Sequence, residues 1–253
     1  MHTIKINNKS LMTDLLIDQE NQKKYISKET IIDGIKIINS KDNSYKYTTI
    51  YYNDITDKDN YKRLEKVLVN ELKKYLKQTR KETTLIVGLG NRNSTPDSLG
   101  PKTIDNILVT RYLFLLGEVE EGYSNTCSII PNVTGNTGIE TSSLIESLIK
   151  DIKPSQVLVI DSLKTNNKEK LNKTIQITDS GIHPGSGIGN NRKEISSKNM
   201  NTKVVAIGIP TVVEIDNNLI VCTADIDYLI DKISFLLSNS VNKVLHSNIR
   251  QNN

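Results

Sequence analysis

The sequence has few of the residues that build metal and cofactor sites. It contains no tryptophan, two cysteines and three histidines in 253 residues. Cys127 and Cys222 are far apart and lie in apolar stretches, so we expect buried free thiols rather than a disulfide or a zinc site. The sequence has no HExxH motif, and His2 and His246 lie near its ends. It therefore predicts no bound metal and no cofactor.

Long apolar runs and an excess of one charge are also missing. No apolar run is long enough to span a bilayer, and residues 1–9 lack the apolar core of a secretory signal. The 33 basic and 29 acidic residues are interspersed and give a net charge of +4, which is typical of an ordinary solvated surface. We therefore expect a cytoplasmic protein with no membrane partner and no direct nucleic-acid partner.

The apolar residues, 36% of the chain, are concentrated in short runs that alternate with helical patterns. Dense runs at 84–88, 157–160 and 204–208 are typical of buried strands. Apolar spacings of three and four predict helices over 61–76, 104–115, 140–152 and 226–245. This alternation predicts an α/β fold with a mostly parallel sheet flanked by helices.

The region before the first helix has a different pattern. β-Branched and aromatic residues dominate 31–38 and 46–52, and Asn43 and Ser44 lie in a turn-like stretch between them. These two segments predict an N-terminal β-hairpin. Residues 1–30 are polar and predict a loosely packed leader.

Two aspartates follow two of the apolar runs. The run at 84–88 leads into a loop that contains Asn91 and Asp97, and the run at 157–160 ends at Asp161. Loops at the carboxyl ends of strands form the active site of an open α/β sheet, so we expect both carboxylates on one rim. Two carboxylates that meet can share a proton and divide the roles of general acid and general base. The pattern predicts a hydrolase that activates water directly, with Asn91 in a supporting role.

Each aspartate also has a simpler interpretation. Asp97 follows a proline before a helix, where aspartate is often only a capping or turn residue. Asp161 closes a buried strand, where a carboxylate must be solvated, paired or functional. Their common position at the ends of strands favours a functional pair.

Two familiar motifs are incomplete in this chain. Gly88-Leu89-Gly90 lacks the third glycine of a dinucleotide-binding loop, since Asn93 takes its place, and it predicts a tight turn instead. Asp179-Ser180-Gly181 copies the tripeptide of pepsin-like aspartic proteases. Those proteins are all-β and pair two copies, so the single copy here predicts a polar turn.

A glycine-rich loop over 181–194 carries the remaining candidate site residues. Its backbone N–H groups could cradle an anion, or the loop could grip a substrate, but it has no GxxxxGK[ST] motif. We assign His183, Gly185 and Gly187 to the wall of a substrate groove. A structural hydrogen bond is an equal alternative for His183.

Six stretches in the same order resemble the spore germination protease family. They are Gly88–Pro101, Leu108–Arg111, Gly135–Thr141, Ile160–Asp161, Thr174–Gly187 and Ala206–Val213. The resemblance runs from about residue 11 to residue 246 and is densest from 84 to 214. Members of this family are endopeptidases that degrade small acid-soluble spore proteins in endospore-forming bacteria.

The resemblance implies an atypical aspartic endopeptidase whose core is shared with hydrogenase-maturation proteases. The family's two catalytic aspartates correspond to Asp97 and Asp161. The resemblance further implies a homotetramer in the forespore or spore core, and a zymogen that removes a short propeptide by self-cleavage. The residues that resemble the propeptide junction are Asp14, Leu15, Leu16, Ile17 and Asp18. We thus expect a propeptide over 1–18, one protease domain over 19–246 and a disordered tail over 247–253.

Two alternatives remain open at the level of sequence. The chain is shorter than typical members, with an internal segment before Leu219 missing. One alternative is a maturation-type, metal-dependent peptidase that binds a metal in its client protein and clips one tail. Separately, Asp97, Asp161 and His183 could form a transient metal site. The other is a relative that binds spore proteins without cutting them. A chelator distinguishes the first from the expected activity, and a cleavage assay distinguishes the second.

Overall fold

A computed structural model describes residues 26–183, 193–216 and 219–247. The expected propeptide and its junction, Gly185, Gly187 and nearly all of the expected tail lie outside these residues. In the described part of the chain, no helix has the length and apolar character needed to cross a membrane.

Within these ranges, nine strands form one sheet. In chain order they are β1 Ile26–Ile32, β2 Ile35–Lys41, β3 Lys46–Tyr51, β4 Thr83–Gly88, β5 Asn125–Ile129, β6 Gln156–Thr165, β7 Thr174–Thr178, β8 Lys203–Asp216 and β9 Leu219–Val221. Their spatial order is β1-β2-β3-β7-β8-β6-β4-β5, with β9 paired to β8. The dense apolar runs recognised in the sequence form β4, β6 and β8 at the centre of this sheet.

The sheet is mixed, and its parallel pairing is confined to four strands. Strands β5, β4, β6 and β8 run parallel to one another. Strands β1, β2, β3, β7 and β9 pair antiparallel with their neighbours. The α/β class is therefore confirmed, but the sheet is not mostly parallel. For β1, β2 and β3, and for β8 and β9, the physical reason is the short connection, since a short turn can only reverse the chain and a parallel neighbour needs a long crossover.

Helices cover the two faces of the sheet. They are α1 Lys58–Leu72, α2 Leu99–Ile104, α3 Arg111–Leu116, α4 Thr134–Thr137, α5 Thr141–Ile152, α6 Ser197–Met200 and α7 Ile226–Leu245. Buried side chains of α1, α2 and α7 pack against Ile86, Leu158 and Ile160 on one face. Buried side chains of α5 and α6 pack against Val157 and Val159 on the other. Successive side chains of β6 thus lie on opposite faces of the sheet, with Leu158 and Ile160 on one face and Val157 and Val159 on the other.

The single helix predicted over 104–115 is wrong, because the chain forms α2 and α3 with a turn between them. Asn242 of α7 explains the break. Its side-chain amide donates to the carbonyl of Asn106 at 2.9 Å, and its side-chain oxygen accepts from the backbone N–H of Leu108 at 3.0 Å. These bonds satisfy backbone groups that a continuous helix would have paired internally.

The predicted N-terminal hairpin is found as β2 and β3, but the expected strand over 31–38 crosses a turn. Asp33 and Gly34 both have positive φ, of 52° and 80°, and they reverse the chain between β1 and β2. Asp-Gly is a strong signal for this kind of two-residue turn, and it is visible in the sequence. The region therefore forms three strands, where two are predicted.

The two cysteines differ in their surroundings. Both are free, Cys127 being half-buried in β5 and Cys222 exposed after β9. Burial raises the pKa of the Cys127 thiol, with Arg111 opposing the effect. The prediction of a buried thiol is wrong for Cys222, because β9 lies on β8 outside the main order of strands.

His246 directly follows α7, and its side chain is buried. We expect this buried histidine to make the stability of the protein sensitive to acid. Its Nδ1 atom accepts a hydrogen bond from the Ser124 backbone N–H at 3.3 Å. Burial lowers the pKa of His246 below its usual 6.5, and an interaction with the Leu108 backbone offsets this only partly. The unfolded chain therefore binds more protons near that pH. Stability from the neutral side chain is complete above about pH 6.5 and is lost as the pH falls below it.

We expect the free energy of unfolding to fall more between pH 7.5 and pH 5.5 in the wild type than in the variant His246→Gln. Glutamine keeps a hydrogen-bond acceptor and cannot become charged. Urea unfolding at both pH values measures the difference. Equal losses in the two proteins would contradict a role for His246.

Candidate active site

Asp161 lies inside a strand and not at its end, where the sequence predicts it. Strand β4 ends at Gly88, which is opposite Ile160, so Asp161 is the first residue of β6 beyond β4. Strand β6 continues to Thr165 because it pairs with the extension of β8. By alternation, the Asp161 side chain lies on the same face as Val157 and Val159.

Asp161 is buried and hydrogen-bonded by the main chain. Its relative exposure is 7%, which is low for a carboxylate. The Ser162 backbone N–H donates to its Oδ1 atom at 2.9 Å. The neighbouring strand β4 stops just before the level of Asp161. The Asp161 carboxylate can therefore face a loop or a ligand that lies beyond the end of β4.

Asp97 lies in the loop that follows β4. It ends a short 3-10 turn, Thr95–Asp97, and its side chain is half-buried. The Asn91 backbone N–H donates both to the Asp97 Oδ2 atom, at 2.9 Å, and to the Asp97 carbonyl, at 3.0 Å. Asn91, assigned a supporting role from the sequence, thus contacts Asp97 through its main chain.

The structure brings the loop of Asp97 onto the strand of Asp161. The 3-10 turn Thr95–Asp97 contacts β6 and β8. The Leu89 backbone N–H at the start of the same loop donates to the Ile160 carbonyl at 2.8 Å. The loop of Asp97 therefore packs on β6 next to Asp161, at the carboxyl end of β4. The assignment of the two aspartates as a catalytic pair stays a prediction.

Gly100, the second residue of α2, allows this close approach. A Cβ atom there would lie 2.2 Å from the Leu89 carbonyl oxygen and 2.7 Å from the Ile160 carbonyl oxygen. Gly90 is equally constrained, since its φ is +116° and a Cβ atom on it would lie 2.0 Å from the Asp97 carbonyl oxygen. Gly90 thus lets the backbone pass close to Asp97, and Gly100 lets α2 pass close to Leu89 and Ile160.

We expect Gly100→Ala to destabilise the protein by about 3 kcal/mol or more, because overpacking against backbone cannot be relieved by a rotamer change. Gly135→Ala is the matched control, since no atom lies within 4 Å of a Cβ at that position. Urea unfolding of both variants measures the difference. Similar stabilities for the two would contradict the packing of α2 on β6.

An ion pair outside the site residues predicted from sequence connects the same loop to the end of α2. The Arg92 guanidinium donates to both oxygens of the Asp105 carboxylate, at 2.6 and 2.8 Å. Hydrogen bonds from Arg92 hold the pKa of the Asp105 carboxyl below its usual value, although both side chains are exposed.

The segment that leads to His183 packs on the same face of the sheet as Asp161. The flanking residue Ile182 forms an isolated bridge with Ile195, which packs in the cluster that contains Val157. The His183 side chain is 61% exposed, and its Nε2 atom lies 3.7 Å from a Glu194 carboxylate oxygen. The structure therefore supplies a partner for His183, and its assignment to a substrate groove stays a prediction.

Asp179 has a structural partner. Its Oδ1 atom accepts a hydrogen bond at 2.7 Å from the backbone N–H of Lys46, the first residue of β3. This agrees with a polar turn and gives no support to a pepsin-like site. Among the described residues, no group of three or more histidine, cysteine, aspartate or glutamate side chains could hold a metal ion.

Comparison with known sequences gives a consistent result. A sequence model of the germination protease family matches residues 2–216. The chain is 40% identical over 220 residues to a germination protease of Halalkalibacterium halodurans, covering 80% of this chain and 58% of the relative. For Oceanobacillus iheyensis the values are 42% over 206 residues, with 78% and 54% covered. For Priestia megaterium they are 41% over 219 residues, with 83% and 59% covered. The chain thus spans a little over half the length of these relatives.

Comparison with solved structures gives a weaker similarity. The [NiFe] hydrogenase maturation protease HycI from Thermococcus kodakarensis KOD1 aligns with 68% of this chain and 99% of its own, at 15% identity and a TM-score of 0.39. The expected core shared with hydrogenase-maturation proteases stays a prediction.

Proposed function

Because this chain belongs to the germination protease family, we propose that it is an endopeptidase that begins the degradation of small acid-soluble spore proteins during germination. The observation that supports this most is the packing of the Asp97 loop on the strand of Asp161. Two carboxylates on one rim are the minimum that a direct, water-activating peptidase needs.

In the proposed mechanism the two side chains hold a water molecule between them. Asp161 is the more buried, and burial disfavours the charged form of a carboxyl group, so we assign it the protonated role. Asp97, ionised, takes a proton from the water as the oxygen attacks the scissile carbonyl carbon. Asp161 donates its proton to the carbonyl oxygen. As the C–N bond breaks, Asp97 passes its proton to the leaving amine and Asp161 takes a proton back from a hydroxyl of the tetrahedral intermediate, which becomes the new carboxyl group and leaves the pair as it began.

The proposal includes the regulation implied by the resemblance. We place self-cleavage at the junction over 14–18, which would convert a zymogen into the active form, and we expect a homotetramer in the spore core. Both rest on resemblance alone, because the junction lies outside the described residues. Sedimentation of the purified protein would decide the oligomeric state, and a monomer would remove that part of the proposal.

The experiment that tests the function is mass spectrometry after incubation with a small acid-soluble spore protein. The wild type is expected to give discrete fragments that are absent with Asp161→Asn, and to lose residues before the junction only when Asp161 is present. An intact substrate over a range of pH would favour a relative that only binds. Fragments that disappear with a chelator would favour the metal-dependent alternative.

A further inference from the structure

Three asparagines connect the loop of Asp97 to the loop that follows β5. The side-chain amide of Asn136, in α4, donates to the Asn91 Oδ1 atom at 3.3 Å and to the Asn132 Oδ1 atom at 3.0 Å. Neither Asn132 nor Asn136 is among the site residues predicted from the sequence. Their bonds cross the rim between the ends of β4 and β5.

The first end of this bridge is Asn91, whose backbone N–H donates to the Asp97 carboxylate. The Asn91 side-chain oxygen also accepts from the Asn93 backbone N–H at 3.0 Å, which fixes the side chain against its own loop. A hydrogen bond to the Asn91 side chain therefore restrains the Asn91 backbone N–H, which donates to the Asp97 carboxylate.

The other end is anchored in the fold. Asn132 has φ of 64°, a left-handed conformation that asparagine tolerates, and its Oδ1 atom accepts from the Val133 backbone N–H at 2.8 Å. Its carbonyl accepts from the hydroxyl of Thr141 at 3.3 Å. Thr141 begins α5, which packs on the sheet through Ile145. The bridge thus joins the loop that holds Asp97 to a packed helix.

We propose that Asn136 is a positioning residue for Asp97, acting through Asn91. This inference rests on the proposed function, in which Asp97 is the ionised member of the pair. A hydrogen bond donated to an ionised carboxylate favours that form and fixes its orientation. Without the Asn136 amide, the Asn91 N–H is held less firmly, so the carboxylate is both less oriented and harder to ionise. Misplacement of a reacting group by a fraction of an ångström lowers the rate more than it lowers substrate binding.

The test compares the wild type with Asn136→Ala, Asn136→Gln and the control Asn106→Ala. Asn136 is exposed, so its removal leaves the fold intact. Asn106 is also exposed, and its amide donates to the carbonyl of Lys102, in α2, at 3.1 Å. The charged groups around the loop, the Arg92–Asp105 pair and Asp161, are unchanged in every variant.

We expect Asn136→Ala to lower kcat roughly tenfold with little change in KM, and to move the acid limb of the pH profile to higher pH. Asn136→Gln, which keeps an amide donor, should recover part of the loss, and Asn106→Ala should match the wild type. A change confined to KM would make Asn136 a substrate contact and overturn the proposal. An equal loss in the control would overturn it as well.

A second measurement does not depend on catalysis. The backbone amide signal of Asn91, followed by NMR while the pH is changed, reports on the titration of Asp97. In Asn136→Ala its midpoint should lie at higher pH than in the wild type. An unchanged amide titration would overturn the proposal, even if the enzyme is active. If the wild type cleaves no substrate, the proposed function fails, and this titration still decides whether Asn136 positions Asp97.

Discussion

Asp161→Asn is expected to lower the rate of peptide-bond cleavage by about 10²–10⁴-fold, the contribution typical of one acid–base group. The substitution removes the proton that the proposed mechanism delivers to the scissile carbonyl. It should leave the fold intact, because asparagine keeps an oxygen that can accept from the Ser162 backbone N–H. The measurement is steady-state cleavage of a small acid-soluble spore protein, with urea unfolding to show that stability is retained.

The control for this substitution is Asp151→Asn, which makes the same chemical change at an exposed position near the end of α5. It should leave both cleavage and stability near the wild-type values. Asp97→Asn should lower cleavage as strongly as Asp161→Asn, and the double variant should lose little more, because the two carboxylates act as a unit. Near-normal turnover by Asp161→Asn would exclude the proposed mechanism.

The central strands could be predicted from sequence because each buries both faces. The runs that form β4 and β6 are apolar at nearly every position, which is the pattern of a strand between two layers of helices. The helices α1, α5 and α7 could be predicted because each has one apolar face. Once these elements alternate, the rules of α/β sheets predict that Asp97, in the loop after β4, and Asp161, after the apolar run of β6, lie near each other.

Features that depend on long-range contacts could not be predicted in this way. The apolar spacing over 104–115 continues across a break that Asn242, more than a hundred residues later, stabilises. The extension of β6 beyond Asp161 depends on its partner in β8. The asparagine bridge is equally invisible, since exposed asparagines are common in the chain and only the fold brings Asn91 and Asn136 together. The Asp33-Gly34 turn is different, because its signal is local and can be read from two adjacent residues.

The extension of β6 also contains a buried ion pair. The Lys164 ammonium lies 2.6 Å from the Glu214 carboxylate, and the two side chains are only 4% and 10% exposed. Lys164 is three residues beyond Asp161, and Glu214 follows Val213, the last residue of β8 that pairs with β6. The pair therefore connects two strands next to the candidate site.

We expect Glu214→Gln to lower the free energy of unfolding by about 3–5 kcal/mol, because it leaves the Lys164 charge buried without its counter-charge. The matched control is Glu29→Gln, which breaks the exposed pair of Glu29 with Lys36 and should cost at most about 1 kcal/mol. Urea unfolding, with a check that the m-value is unchanged, measures both.

The double variant Lys164→Met/Glu214→Leu separates two explanations of that loss. Replacing both charges with apolar side chains removes the cost of burying them, so the double variant should be more stable than Glu214→Gln. If it is, the single variant is destabilised by an uncompensated charge, and the pair itself adds little net stability. If both variants lose the same amount, the extension of β6 depends on the attraction between Lys164 and Glu214. In that case the strand that carries Asp161 is fixed by charge as well as by backbone pairing, and Glu214→Gln should also lower cleavage.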